Sequence, residues 1–591
     1  MRKKIALLLA LLMCFTLVAA CNKGEDDVIS PPPSQTPSNP PSNPPSPPPE
    51  TPPPTDPTRF EELGLEVDAN GNLRFIEQRS IRVLAWDRSD NEDPNTAFTA
   101  FLAEQMLEIH NVVVEFVDSP RWGEEDNITL LLAEQTAPDV CVTYNYGAVN
   151  EYARQGAITN LAPLFEDSGD LFPNLWSFLG GGRLYVNMDR ETGEIWSFLS
   201  RQPFNQRYIP FIREDWVAKL GMNLPTNIDE FEALLYAFKD NAELLLGADA
   251  KNMIPLHMTA DPGWVAGQMI GSFVPDNITD KDLYVYGWCA ERNWFFPGIK
   301  EGVRYLNKWF NDGLIHPDFA LFATGDDTPD NFVKAGFVGA IASHSFDQPY
   351  RDNENGWNGN IQAQFGPEAT YIAVDTFKND AGVYRKLLGP GNDRTLFIPG
   401  TSTEPVAALM YLDMMCRPEI RFVLQIGFEG INYSVEPNGA YRNIPIEDIT
   451  DPYYMRSGRN HDIAIVTHSG GLSLQPIVST EIEGLTFALQ FPLFEARVIE
   501  RARTIQANGI RENHAGNIAT IVAEQGITNA ELNDLGNAVF VRAMSASVEE
   551  FDAVYDAEMN QLMERYGNAS IAERQAAWEK AFGDAVMLPE G

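Results

Sequence analysis

Apolar positions along this chain form one early run and then two alternating periodicities. Ile5 to Ala20 is nearly all apolar and follows Arg2, Lys3 and Lys4. The run is too short and wrongly flanked for a membrane span, and it fits the core of an export signal. Further on, Ile81-Arg82-Val83-Leu84-Ala85-Trp86 predicts a strand. Phe98, Phe101, Leu102, Met106 and Ile109 have the spacing of a helix over 96–109. Val112 to Val117 predicts a second strand, Thr129 to Gln135 the continuation of a helix that Pro138 ends, and Asp139 to Thr143 a third strand. Strands alternating with helices predict a parallel α/β sheet. Ligands of such sheets bind beyond the C-terminal strand ends, where Trp86 with Asp87, and Tyr144-Asn145-Tyr146, fall.

A second stretch repeats this order. Tyr208 to Ile212 predicts a strand, Asp215 to Leu220 a helix closed by Gly221, and Ile228 to Lys239 a helix capped by Thr226 or Asn227. Val303 to Phe310 predicts a further helix, Phe337 to Ala342 a short strand, and the chain from about Gly484 reads as largely helical. The body from about Phe60 to Gly591 is too long for one core and implies at least two domains.

The apolar run ends in Leu17-Val18-Ala19-Ala20-Cys21, which resembles the bacterial lipobox. That resemblance implies a signal peptide over 1–20 and a lipid on Cys21. Each buried CH₂ of such chains contributes about 0.8 kcal/mol to anchoring. Residues 21–58 then form a linker. From Ser30 to Pro57 it is mostly Pro, Ser, Thr and Asn, with too few apolar side chains to offset ordering entropy. At about 3.1 Å per residue, polyproline II geometry lets it reach roughly 80 to 90 Å. These features place the body at the cell membrane, lipid-anchored and facing outward.

Loss of residues 1–20 removes three positive charges and no negative ones, taking the formal charge from −40 to −43. This argues against nucleic acid as a partner, since phosphate neutralisation needs a basic patch. Cys141, Cys289 and Cys416 sit among apolar or aromatic neighbours, at spacings that suit neither a disulfide framework nor a metal site. They read as buried structural thiols.

Five segments carry a more specific signal. Pro203-Phe204-Asn205-Gln206-Arg207-Tyr208-Ile209-Pro210-Phe211-Ile212-Arg213-Glu214-Asp215-Trp216 leads into Lys219-Leu220-Gly221, Pro225-Thr226 and Asp229-Glu230-Phe231. Trp309-Phe310-Asn311-Asp312-Gly313-Leu314-Ile315-His316-Pro317-Asp318-Phe319 follows, then Phe332 to Ala340, then Ala407 to Asp413, and last Gly427-Phe428-Glu429-Gly430-Ile431-Asn432-Tyr433. In order and content they resemble family 1 extracellular solute-binding proteins. Cys416-Arg417-Pro418 departs from the family's small polar turn, and the Pro-rich stalk is longer than expected.

The resemblance implies an α/β, two-lobed, periplasmic-binding-protein-like fold of type II, with hinge crossings and a ligand cleft between the lobes. Lobe 1 would take 80–203 plus 376–470, and lobe 2 would take 204–375 plus 471–591. The family implies a monomer that closes on a ligand and delivers it to the permease subunits of an ABC transporter. It also implies carbohydrate cargo, held by flat aromatic faces and side-chain hydrogen bonds. The candidates are Trp86, Asp87, Tyr144, Asn145 and Tyr146 in lobe 1, with Tyr208, Trp264, Trp288 and His344 in lobe 2. An aromatic content of 11% favours a sugar, although a peptide would use similar groups.

Two turns place oxygen atoms at alternate positions, Asp68-Ala69-Asn70-Gly71-Asn72 and Asn187 to Glu194. Neither completes a twelve-residue calcium loop, and a β-turn with Gly at positive φ explains both more cheaply. No cofactor is expected. The rival classes are a secreted glycan hydrolase and a surface glycan- or peptide-binding lipoprotein unconnected to transport. A glycosidase needs two carboxylates about 5 to 9.5 Å apart. With 83 acidic residues some pair will be close by chance, and no HExxH, GxSxG or P-loop motif is present. The expectation is a binding protein without enzymatic activity.

Overall fold

The computed structural model describes residues 57–87, 95–121, 123–166, 170–189, 192–201, 208–275, 277–286, 295–322, 327–351, 356–375, 384, 386, 388, 392–455, 463–466, 472–491, 496–509 and 529–587. The signal, Cys21, the Pro-rich linker up to Asp56, Trp288 and Cys289 lie outside them. Residues 47–591 cluster as one compact unit.

The strands that carry the argument are, in chain order, β1 (Leu65–Val67), β2 (Leu73–Phe75), β3 (Arg79–Asp87), β4 (Val112–Pro120), β5 (Cys141–Thr143), β6 (Phe198–Arg201), β7 (Tyr208–Arg213), β8 (Ile254–His257), β9 (Val338–Ser345), β10 (Tyr371–Ala373) and β11 (Asn392–Phe397). β1 and β2 form an antiparallel hairpin.

In the first sheet β3 runs parallel to β4, in register from Arg79↔Val112 to Asp87↔Pro120. A parallel bridge, Val83↔Val140, leads on to β5. β11 then lies antiparallel between β5 and β6, so the sheet is mixed rather than wholly parallel. β5 is shorter than the run from Asp139 suggested. The Asp139 carboxylate instead accepts Arg82 N at 2.7 Å and Ser402 Oγ at 2.6 Å.

The helix Ala97–His110 joins β3 to β4 and buries Phe98, Leu102, Met106 and Ile109, one stripe of an amphipathic helix. Thr96 and Thr99 cap its start reciprocally, and Asn111 ends it in the left-handed region at φ 58. The next helix spans Glu124–Ala133, beginning well before Thr129. Glu124, Glu125 and Asp126 fill its first turn, where negative charge suits the helix dipole.

The second sheet has the order β8-β9-β7-β10, with β8 parallel to β9 and the other pairs antiparallel. The helix Ile228–Asp240 packs Phe231, Leu234, Leu235 and Phe238 into the core. Asn227 is its cap: its side chain accepts Glu230 N at 2.9 Å. Thr226 instead donates through N and Oγ1 to Glu230 Oε2, at 2.8 Å each. C-terminal helices span Ala496–Ala507, Asn529–Ser545, Phe551–Leu562 and Asn568–Phe582.

Two large hydrophobic cores result. The first gathers buried side chains between Leu65 and Phe198, between Leu396 and Leu424, and from Ile463 to Val466. The second gathers those between Ile209 and Val374 and between Phe487 and Leu562. The chain passes between the cores after β6, after β10 and after Val466. Arg213, the last residue of β7, forms a buried bidentate pair with Asp215 at 2.8 and 2.9 Å. Arg421 donates to Cys416 O, Ser473 O and Gln475 O at 3.1, 2.7 and 2.8 Å. Cys141 and Cys416 are buried free thiols, both pushed up by burial.

Candidate functional site

The ends of β3 and β5 are neighbours because Val83 bridges Val140. This brings the Trp86 and Tyr144 rings to 4.9 Å between centroids, tilted by 33°. Trp86 is buried, and its Nε1 has no hydrogen-bond partner among the described residues. Tyr144 is half-buried.

Two arginines that the sequence did not single out complete this cluster. Arg121, just past β4, donates from Nη2 to Tyr144 Oη at 2.9 Å. Its Cζ lies 5.7 Å from the Trp86 ring and 5.8 Å from the Tyr144 ring. Arg394, fully buried on β11, has its Cζ 5.0 Å from the Trp86 ring and 5.9 Å from the Tyr144 ring.

Asn145 caps the helix Tyr146–Arg154. Its Oδ1 accepts Ala148 N at 3.0 Å and its Nδ2 donates to Glu125 Oε2 at 2.6 Å. Tyr146 begins that helix and is half-buried. Burial pushes its phenol well above the usual range, and Asp189 and Tyr284 add to the effect. Asp87 is the last residue of β3, opposite Pro120 in register.

A second aromatic pair belongs to the second core. Tyr208 opens β7, and Trp264 lies on the short helix Pro262–Val265, with ring centroids 4.2 Å apart. Asp261 Oδ1 caps this helix by accepting Trp264 N at 3.2 Å, and Asn537 Oδ1 accepts Gly263 N at 3.2 Å. Trp264 remains 47% exposed.

His344 is set apart from that pair. It is register-paired with Ile209, so it shares Ile209's face of the sheet, whereas Tyr208 points to the other. Its Nδ1 accepts Ser345 N at 2.9 Å, and its ring meets Trp357 at 4.7 Å.

Backbone N–H groups donate to one aspartate oxygen in each of the two turns. Asp68 Oδ1 accepts Asn70 N and Asn72 N, both at 2.8 Å, with Gly71 at φ 84. Asp189 Oδ1 accepts Thr192 N at 2.9 Å, with Gly193 at φ 75. Among the described residues no group of three or more His, Cys, Asp or Glu side chains is placed to hold a metal ion. Burial raises the Asp413 carboxyl to about 6. Its oxygens accept Asn174 Nδ2 and Leu175 N at 2.8 Å each, so it caps the helix Pro173–Leu179.

Solved structures share this architecture at low identity. The alginate-binding protein AlgQ2 without calcium ion matches at 17% identity over 85% of this chain and 98% of that one, with a TM-score of 0.57. An extracellular solute-binding protein from Bifidobacterium longum subsp. infantis matches at 18% over 87% and 100%, with a TM-score of 0.59. The S. pneumoniae ABC-transporter substrate binding protein FusA, as an EF-hand mutant in complex with fructo-nystose, matches at 14% over 86% and 100%, with a TM-score of 0.55. No curated protein sequence matches the chain. The two cores are therefore the lobes of a type II solute-binding fold. The chain belongs to the bacterial extracellular solute-binding protein family, whose profile matches residues 89–421.

Proposed function

We propose that this protein is the extracellular substrate-binding lipoprotein of an ABC importer, and that it captures an oligosaccharide by lobe closure and hands it to a membrane permease. Lobe 1 takes 80–203 plus 376–470, and lobe 2 takes 204–375 plus 471–591. Cys21 carries the lipid. The observation that carries the reading is the presence of one tilted aromatic pair with each core, Trp86–Tyr144 and Tyr208–Trp264. Flat apolar ring faces suit the C–H faces of sugars, and Trp264 keeps its surface open. One neighbour of the same fold is described as alginate-binding and another in complex with fructo-nystose, which supports a glycan as cargo.

The test is a thermal-shift screen of the purified protein against neutral and charged oligosaccharides, with peptides alongside. A ligand at 100 times its Kd adds about 2.7 kcal/mol of stability, a clear rise in melting temperature. The sugar should be recovered unchanged. A shift with peptides and none with any saccharide overturns the cargo. Labelled palmitate incorporated by the wild type and lost in Cys21→Ala checks the anchor.

A further inference from the structure

The exposed Trp264 ring stands on a helix too short to hold itself. Pro262–Val265 is a single turn, and one turn fixes more backbone than its hydrogen bonds offset. The first N–H groups of a helix have no partner inside it, and here two side chains from distant parts of the chain take them. Asp261 Oδ1 accepts Trp264 N, and Asn537 Oδ1 accepts Gly263 N, each at 3.2 Å. Asn537 belongs to the helix Asn529–Ser545, which packs against Pro262–Val265. That helix is fastened in turn to Ile299–Asn311, where Asn307 Nδ2 donates to Ala543 O at 2.9 Å and to Ala546 O at 2.8 Å.

The bond to Gly263 also fixes which way the Asn537 amide faces. A backbone N–H only donates, so the atom opposite it is the carbonyl oxygen. The amino group, with two N–H donors, is turned away from Gly263. Asn537 Nδ2 has no protein partner among the described residues, and the side chain is half-buried. One residue on from Gly263, Trp264 offers a flat apolar face. A stacking surface and a pair of unengaged donors thus stand side by side. A sugar residue has the matching pair of features, a C–H face bordered by oxygens that accept hydrogen bonds. Tyr208, the ring partner of Trp264, is the first described residue after the passage from β6, so this corner of lobe 2 lies beside a crossing to lobe 1.

We infer that Asn537 is a specificity-determining residue of the lobe 2 half of the cleft. Its Nδ2 donates to a hydroxyl or ring oxygen of the sugar stacked on Trp264, while its Oδ1 holds the helix that carries the ring. The assignment rests on the saccharide reading above, and it makes the C-terminal helix Asn529–Ser545 part of the binding site.

Asn537→Asp separates the two roles: it keeps an oxygen for Gly263 N and replaces both N–H donors with an acceptor. Calorimetric titration of the full-length protein in detergent uses kestose, an oligomannuronate and each saccharide that raises the melting temperature. Asn537→Asp should bind about five- to ten-fold more weakly, the worth of one hydrogen bond, with the melting temperature and circular dichroism of the wild type. Asn537→Ala should lose at least as much. In a Trp264→Ala background Asn537→Asp should cost less than about two-fold, because two contacts to one sugar residue are coupled. Wild-type affinity in Asn537→Asp, with Asn537→Ala alone impaired, reduces Asn537 to a brace and overturns the inference while the saccharide reading stands. So does an equal loss with and without Trp264. No binding of any probe by the wild-type protein, together with no saccharide hit in the thermal screen, overturns both.

Discussion

Lys386 Nζ lies 2.8 Å from Asp375 Oδ1, with side-chain exposures of 0% and 10%. The ammonium also donates to Ile505 O, and Asp375 Oδ2 accepts Asn508 Nδ2 at 3.0 Å. Arg501 Nε adds a bond to Ala373 O at 2.7 Å. The passage after β10 is thereby pinned to the C-terminal helix Ala496–Ala507. Asp375→Ala leaves the buried ammonium uncompensated and should cost about 3–5 kcal/mol in urea unfolding. Removing both charges, as Asp375→Leu with Lys386→Met, should cost far less. A single substitution as mild as a surface pair, below about 1 kcal/mol, would contradict this role.

Stability should depend on pH in a direction set by buried histidines. His257 has no hydrogen-bond partner for either ring nitrogen among the described residues, and burial lowers its pKa from 6.5 to about 4. Burial likewise lowers His110 to about 4, against a hydrogen bond from its Nδ1 to Leu73 O. Between pH 4 and 6.5 the unfolded chain binds more protons at these sites, so stability rises with pH. It is complete above 6.5 and lost as pH falls toward 4. A ten-fold change in proton affinity is worth about 1.4 kcal/mol, so each histidine contributes roughly 3 kcal/mol. Asp413, raised by burial from 3.8 to about 6, acts in the opposite sense over much of that window. Urea midpoints between pH 4 and 7 should show a net gain with pH, shallower in His257→Phe and steeper in Asp413→Asn.

Trp264 is exposed enough to be removed without disturbing the fold. Trp264→Ala should weaken binding of the saccharide that gives the largest thermal shift by ten-fold or more and leave the apo melting temperature within about 2 °C, as expected of a surface substitution. Unchanged affinity would remove this ring from the site.

Gly298 precedes the helix Ile299–Asn311 at φ +93, and a Cβ there would lie 2.1 Å from Phe273 O. Backbone cannot yield as a flexible side chain does. Gly298→Ala should therefore cost more than about 2 kcal/mol, combining steric overlap with an unfavourable dihedral. A melting curve like the wild type's would mean the turn relaxes freely.

How far the sequence discloses this molecule depends on what kind of order each part needs. The helix Ala97–His110 announces itself because Phe98, Leu102, Met106 and Ile109 recur at its period. Trp86 and Tyr144 fall at strand ends that local patterning locates. Arg394 does not, because β11 reads Asn392-Asp393-Arg394-Thr395 before its apolar residues. No period flags such a run, and only tertiary pairing between β5 and β6 brings it to the aromatic pair. Arg121 is invisible for a similar reason, standing in a turn whose neighbours come from other strands. His344 shows a subtler loss. The register shifts between Ile209 and Phe211 opposite it, so counting alternate residues along β9 cannot tell which face it takes.

β11 also bears on how the chain can be divided. Its six residues fill the slot between β5 and β6, yet they are made only after the whole central part of the second core. A fragment ending at Arg201 would carry two unpaired strand edges, which invite pairing with other chains. A growing polypeptide keeps those edges open until about Phe397 has emerged, so the first lobe cannot finish before most of the second is present. The lobes are separate in space but not in inheritance: neither could be lifted out, exchanged or duplicated by a single cut in the gene.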